Sequence, residues 1–140
     1  MRRAAEAPAE KRAAAVERQA EKFVRFWHKS GHVHFREEEE VLLPAYARHM
    51  RLDRDAEVVR ILADHAEIRA AVRDFEQRLS AEVPIEATEM AHLGKLLHDH
   101  VRLEENEVFP RIEKVLGEEQ LNAMGCELTR LHSKHDVCDI

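Results

Sequence analysis

From Val58 onward the apolar positions advance by threes and fours: Val58, Ile61, Leu62, Ile68, Val72, Phe75 and Leu79. That spacing paints one face of an α-helix. It predicts a helix over 54–79 with His65 in the middle of its apolar stripe. A second stripe, Leu93, Leu96, Leu97, His100, Leu103 and Glu104, predicts a helix over 85–109. Upstream, Ala, Glu, Arg and Lys dominate, which are strong helix formers, and a long helix is expected over 9–43. Gly31 weakens that helix without breaking it, and Pro44 kinks it, with 45–49 adding a further turn. Pro110 kinks the later helix in the same way, a short piece runs to Leu116, and Gly117 reads as its C-cap. Asp53 reads as an N-cap, residues 80–84 as a turn, and 118–133 as a last helix. No β-branched runs or Asn-Gly turns indicate strands. The expected fold is all-α: three long antiparallel helices and a short C-terminal one.

Composition narrows the function classes. With 140 residues, 44% hydrophobic and 36% charged, the chain is long enough for one ordinary core, and a single domain over 1–140 is expected. A net charge of −6 argues against a nucleic-acid partner, which would need a basic face. No apolar run approaches the roughly 20 residues of a membrane span. The first residues carry no apolar signal segment, and Cys126 and Cys138 make no disulfide framework, so a cytoplasmic location is expected. The ten histidines change the picture, since imidazole is the commonest transition-metal ligand.

Their positions contain a repeat. Residues 34–44 read HFREEEEVLLP and residues 100–110 read HVRLEENEVFP. Without gaps, His34 matches His100, Arg36 matches Arg102, Glu38 matches Glu104, Glu39 matches Glu105, and Pro44 matches Pro110. Each copy places a histidine and a carboxylate at i and i+4, one turn apart on one helix face. Two such helices side by side offer two imidazoles and two carboxylates, enough to bind one metal ion or flank two. One His-x-x-x-Glu alone is ordinarily a solvated pair; the duplication with matched prolines favours a metal site. His65, on an apolar stripe between the copies, is either a core histidine or an inward ligand, and the repeat favours the ligand. The run Glu37 to Glu40 reads mostly as a solvated face. His28, His32, His49, His92 and His98 read as ordinary surface or rim residues.

HFREEEEVLLPAYARH (34–49), ADHAEIR (63–69) and HVRLEENEVFPRIE (100–113) resemble motifs of the hemerythrin-like HHE cation-binding domains. The resemblance implies a four-helix bundle holding a non-haem iron pair, often oxo- or hydroxo-bridged, that binds dioxygen or responds to oxygen, iron or nitric oxide. It implies His34, His65 and His100 as terminal ligands and Glu38 and Glu104 as bridging carboxylates. The chain departs from the family in two places. It has no histidine before His28 to match the one on the family's first helix, so residues 1–8 read as a remnant of that helix. Arg69 stands one turn after His65, where oxygen-carrying hemerythrins have a second histidine.

Three amphipathic helices without the fourth would leave an apolar groove, and such strips are rare on soluble monomers. A second copy covering it, hence a homodimer, is the expected solution. The alternative folds the C-terminal helix back, with His132 or His135 replacing the missing ligand. Ile61, Leu62, Ile68, Leu96, Leu97 and Leu103 are expected to wall a dry cavity, with no tyrosine or cysteine inside. That cavity favours binding or sensing of a small gas over turnover. Small oxidase or peroxidase-like chemistry from the same ligands is the enzyme alternative, and a metal-free bundle acting through its groove is the interaction alternative. Manganese or zinc would suit the same donors as iron.

Overall fold

The computed structural model describes residues 2–132, with side chains over residues 8–128. Among these residues there is no strand. The first rod is continuous: α1 (Arg2–Phe26), a π turn (Trp27–Gly31), α2 (His32–Glu37), a second π turn (Glu38–Leu42) and α3 (Leu43–Ala47). Residues before Ala9 thus belong to this rod rather than to a separate helix, and Pro8 lies inside it. After a short 3₁₀ turn (Leu52–Arg54), α4 (Ala56–Ser80) returns antiparallel. The third rod is α5 (Ala87–Leu103), a π turn (Glu104–Val108) and α6 (Phe109–Val115). The C-terminal helix α7 (Glu118–His132) follows.

A widened turn precedes each of the two motif prolines. Proline lacks an N–H and its ring crowds the carbonyl four residues back. Here the rods widen instead of ending. Leu43 N–H bonds the carbonyl of Glu38, and Phe109 N–H bonds that of Glu104, each skipping one residue more than an α-helix does. Both π turns begin on the carboxylate of the repeated motif and end two residues before its proline. Such turns inside α-helices occur often at functional sites.

Two expected caps move. Asp55, not Asp53, opens α4: its side chain accepts from Val58 N–H, while Asp53 pairs with Arg51 on the surface. Gly117 does not take the left-handed conformation of a C-cap. Its carbonyl instead accepts from Leu121 N–H and starts α7.

α1 packs against α4 and α5, and α7 lies against α2 and the π turn that follows it. The core divides in two. One cluster joins Val16, Phe23, Trp27, Phe35, Ile68, Phe75 and Leu93. The other joins Val41, Tyr46, Val58, Ile61, Val108, Ile112 and Met124. Burying two such clusters is the main stabilising term of the fold. No helix among the described residues is long and apolar enough to cross a membrane.

The C-terminal helix therefore folds back over the half of the first rod that carries the motif, burying Met124. The side chain of His132, and His135 and Cys138, lie outside the described residues. Beside the other half, between α1 and α5, the described residues leave open a groove lined by Val16, Phe23, Phe26, Met90, Ala91 and Gly94.

Candidate metal centre

Between the two apolar clusters sits a polar one. Glu38, His65, His100 and Glu104 are each at most 3% exposed. Four ligand atoms, one from each residue, lie within 4.8 Å of one another. Ligand atoms on opposite sides of one ion stand roughly 4 Å apart, so the four match a single coordination sphere with little adjustment.

The orientation of these atoms is more telling than their distances. His65 Nε2 lies 2.8 Å from Glu38 Oε2, and His100 Nε2 lies 2.7 Å from Glu104 Oε1. Yet both Nε2 atoms, both oxygens of Glu38 and Oε2 of Glu104 are buried without an aligned hydrogen bond. Leaving buried polar atoms so costs about 1–3 kcal/mol each. Donors gathered in one space but not aimed at each other suit a shared cation.

The other ring nitrogens are held from behind. His65 Nδ1 donates to Glu39 Oε2 at 2.6 Å, and Arg69 grips that carboxylate with two bonds of 2.8 and 3.0 Å. His100 Nδ1 donates to Asp64 Oδ2 at 3.2 Å, with Arg60 Nε 3.4 Å from the other Asp64 oxygen. Each imidazole thus keeps its proton on Nδ1 and turns the Nε2 lone pair inward, the outer-shell arrangement common at metal-bound histidines. Phe35 stacks on His65, with ring centroids 3.8 Å apart and planes within 12°.

Charge in the cluster is unevenly shared. Burial pushes the Glu104 carboxyl up to about 7; the adjacent His100 ring works against the rise and the neighbouring Glu38 carboxylate reinforces it. Burial also raises Glu38, but the adjacent His34 and His65 rings outweigh it and hold that carboxyl far below its usual range. The Glu38 carboxylate beside it raises His34. For His100, burial works against the nearby Glu104 carboxylate, and the carboxylate prevails. Two carboxyls this close cannot both ionise cheaply, so one keeps its proton until a cation replaces it.

The structure brings four of the five expected ligands into one group. His34 stands at its edge: its Nε2 is 2.7 Å from Glu38 Oε1, but its side chain is 52% exposed. The acidic run departs from a solvated face, because Glu38 is buried and Glu39 holds His65. Arg69 is half the support of Glu39 rather than a vacated ligand position. Leu62 is 37% exposed and walls nothing, while Tyr46 is fully buried, donating to Asp55. His28, His49 and His92 remain surface residues bonded to Glu76, Gln120 and Glu67. Sequence reasoning missed Asp64 and Glu39 as supports. Each carboxylate directly neighbours a ligand, but so does Glu37, so adjacency alone could not have singled them out.

A search of curated proteins gave no significant match, and neither did a search of solved structures. The family model described as the hemerythrin HHE cation binding domain matches residues 1–112. The match takes in all three rods through Ile112 and every residue of the buried His/Glu cluster. Family and cluster together fit a metal-binding protein, and the chain belongs to the hemerythrin HHE cation-binding domain family.

Proposed function

We propose that this protein holds a non-haem di-iron centre on His34, Glu38, His65, His100 and Glu104 and uses it to bind, store or sense dioxygen or another small gas. The observation that supports this reading is the set of buried, unaligned donor atoms at Glu38, His65, His100 and Glu104. An iron pair, when bound, supplies an exchangeable coordination site and a change of redox state. The chain's own residues do the rest. Glu39 and Asp64 fix the two buried imidazoles. Phe35 and Ile68 belong to the dry cluster on one side of the polar one, and Val108 and Ile112 to the cluster on the other. Burial raises the Glu104 carboxyl to about 7, so a cation there would compete with its proton.

Binding rather than turnover is favoured because, among the described residues, every buried charged or histidine side chain except Asp55 belongs to the cluster or supports it. The test is elemental analysis of protein reconstituted with ferrous iron, with an ultraviolet–visible spectrum of the same sample. Iron with near-ultraviolet charge-transfer bands, both lost in His100→Ala, is the expected result. Manganese or zinc retained in place of iron would overturn the iron assignment. Absence of any metal after reconstitution would overturn the whole reading.

A further inference from the structure

We propose that Trp27, Phe35 and His65 form an electron route from the surface to the buried cluster, and that hydrogen peroxide reduced at the cluster draws its electrons from Trp27. This rests on the metal-binding reading above and adds to it a redox-active residue outside the ligand set.

The route is a line of rings in contact. Phe35 stacks on His65, with centroids 3.8 Å apart and planes within 12°. Trp27 meets Phe35 edge-on, at 5.0 Å and 77°, a geometry that aromatic pairs favour. His65 in turn brings Nε2 to 2.8 Å from Glu38 Oε2 in the cluster. Trp27 is 9% exposed and Phe35 4%, so the line runs from an indole at the edge of the core to its interior. Electron transfer weakens steeply with each gap, which makes contiguous rings a better path than the aliphatic side chains around them.

The local fold sets up this contact. Trp27 and Phe35 are eight residues apart, whereas two α-helical turns take about 7. The π turn Trp27–Gly31 absorbs the extra residue and returns both rings to one face. The second copy of the motif has no counterpart: Val101, matched to Phe35, is 45% exposed and carries no ring. Tyr46, the chain's single tyrosine, bonds Asp55, and among the described residues no ring contact joins it to the cluster.

Indole is the most easily oxidised of the three rings. Arg69 Cζ stands 5.5 Å from the Phe35 centroid, and a positive charge there disfavours an electron vacancy on that ring. Phe35 therefore passes charge, and Trp27 gives it up. In the balanced reaction the peroxide O–O bond breaks, and two electrons and two protons turn H₂O₂ into two waters. The indole supplies both electrons, a water oxygen bonds to a ring carbon, and two protons are released. The net change is one hydroxyl in place of one ring hydrogen on Trp27, with one peroxide consumed and one water formed.

The test adds hydrogen peroxide to protein whose iron content has been measured. Mass spectrometry of the digest locates the added oxygen, and fluorescence follows the chain's single tryptophan. The expected result is oxygen on Trp27 ahead of Tyr46 and Met124, and no such preference in zinc-loaded protein, where the metal cannot change redox state. Phe35→Leu, with iron content and helical circular dichroism unchanged, should oxidise Trp27 severalfold more slowly. Should that variant lose its iron, the wild type decides: a sample frozen soon after mixing must show an indole radical by electron paramagnetic resonance. Oxygen on Met124 or Tyr46 with Trp27 intact, equal oxidation of Trp27 with zinc and with iron, an unchanged rate in iron-loaded Phe35→Leu, or no indole radical would each overturn the proposal. Failure of the wild type to bind any metal would instead overturn the metal-binding reading itself.

Discussion

Glu39 shows how far a single side chain can sit from its apparent role. It lies in a run of four glutamates, and nothing in that run distinguishes it from its neighbours. In the fold it accepts from His65 and from both arms of Arg69. Burial lifts its pKa, but the bonds from Arg69 and His65 prevail and keep it below the ordinary carboxylate range. Glu39→Gln removes the charge that steadies the His65 tautomer, and a cobalt titration should then show affinity lower by about 10–100-fold. Retention of full affinity would mean that His65 needs no such support. Glu104 gives a pH dependence whose sign follows from its pKa. A carboxyl raised to about 7 from an ordinary 4.5 favours the folded state below about pH 4.5, and that contribution is lost as pH rises through 7. The metal-free Glu104→Gln variant should therefore melt higher than the parent at pH 8 and close to it at pH 5. Metal binding to the parent should weaken below pH 7, where the cation must displace the Glu104 proton. Four of the five ligand candidates were legible because the repeat marks them, and His65 because it interrupts an apolar stripe. Asp64, Glu39 and Arg69 were not, because partners on different helices leave no spacing in one strand of text.

At the scale of elements, the π turns are the main departure from expectation. The prolines mark where each rod is disturbed, but a turn widened by one residue leaves no periodic trace. The turn at Trp27–Gly31 has its own constraint. A Cβ on Gly31 would stand 2.9 Å from Cε3 of the buried Trp27 ring. Alanine there gains about 1 kcal/mol of helix propensity but loses about 1–3 kcal/mol to overpacking. Gly31→Ala should lower the melting temperature; a rise would mean that the indole yields easily. Asp55 carries the start of α4. It receives Val58 N–H at 3.3 Å, Tyr46 Oη–H at 3.1 Å and Arg111 Nη1–H at 2.7 Å. Asp55→Ala should cost about 2 kcal/mol, measured by urea unfolding, since a cap and a buried partner are lost together. The sequence placed this cap two residues early because Asp53 and Asp55 both suit a helix start and only packing against Arg111 separates them.

Across the whole molecule, the all-α class and the three rods follow from hydrophobic spacing that long helices display plainly. The place of the C-terminal helix did not follow, because an amphipathic helix states that it has a partner but not which one. It lies over the motif half of the first rod, and the described residues leave the groove along Val16, Phe23, Phe26, Met90 and Gly94 uncovered. Phe26 is 53% exposed there. We propose that a second copy covers this strip, and light scattering should report a dimer that Phe26→Asp dissociates. A monomeric wild type at micromolar concentration would contradict it. An anomalous difference map from crystals of the iron-loaded protein locates the metal directly. A strong peak enclosed by Glu38, His65, His100 and Glu104 is the expected result. Iron located elsewhere, or no peak among these four residues in iron-loaded crystals, would contradict it.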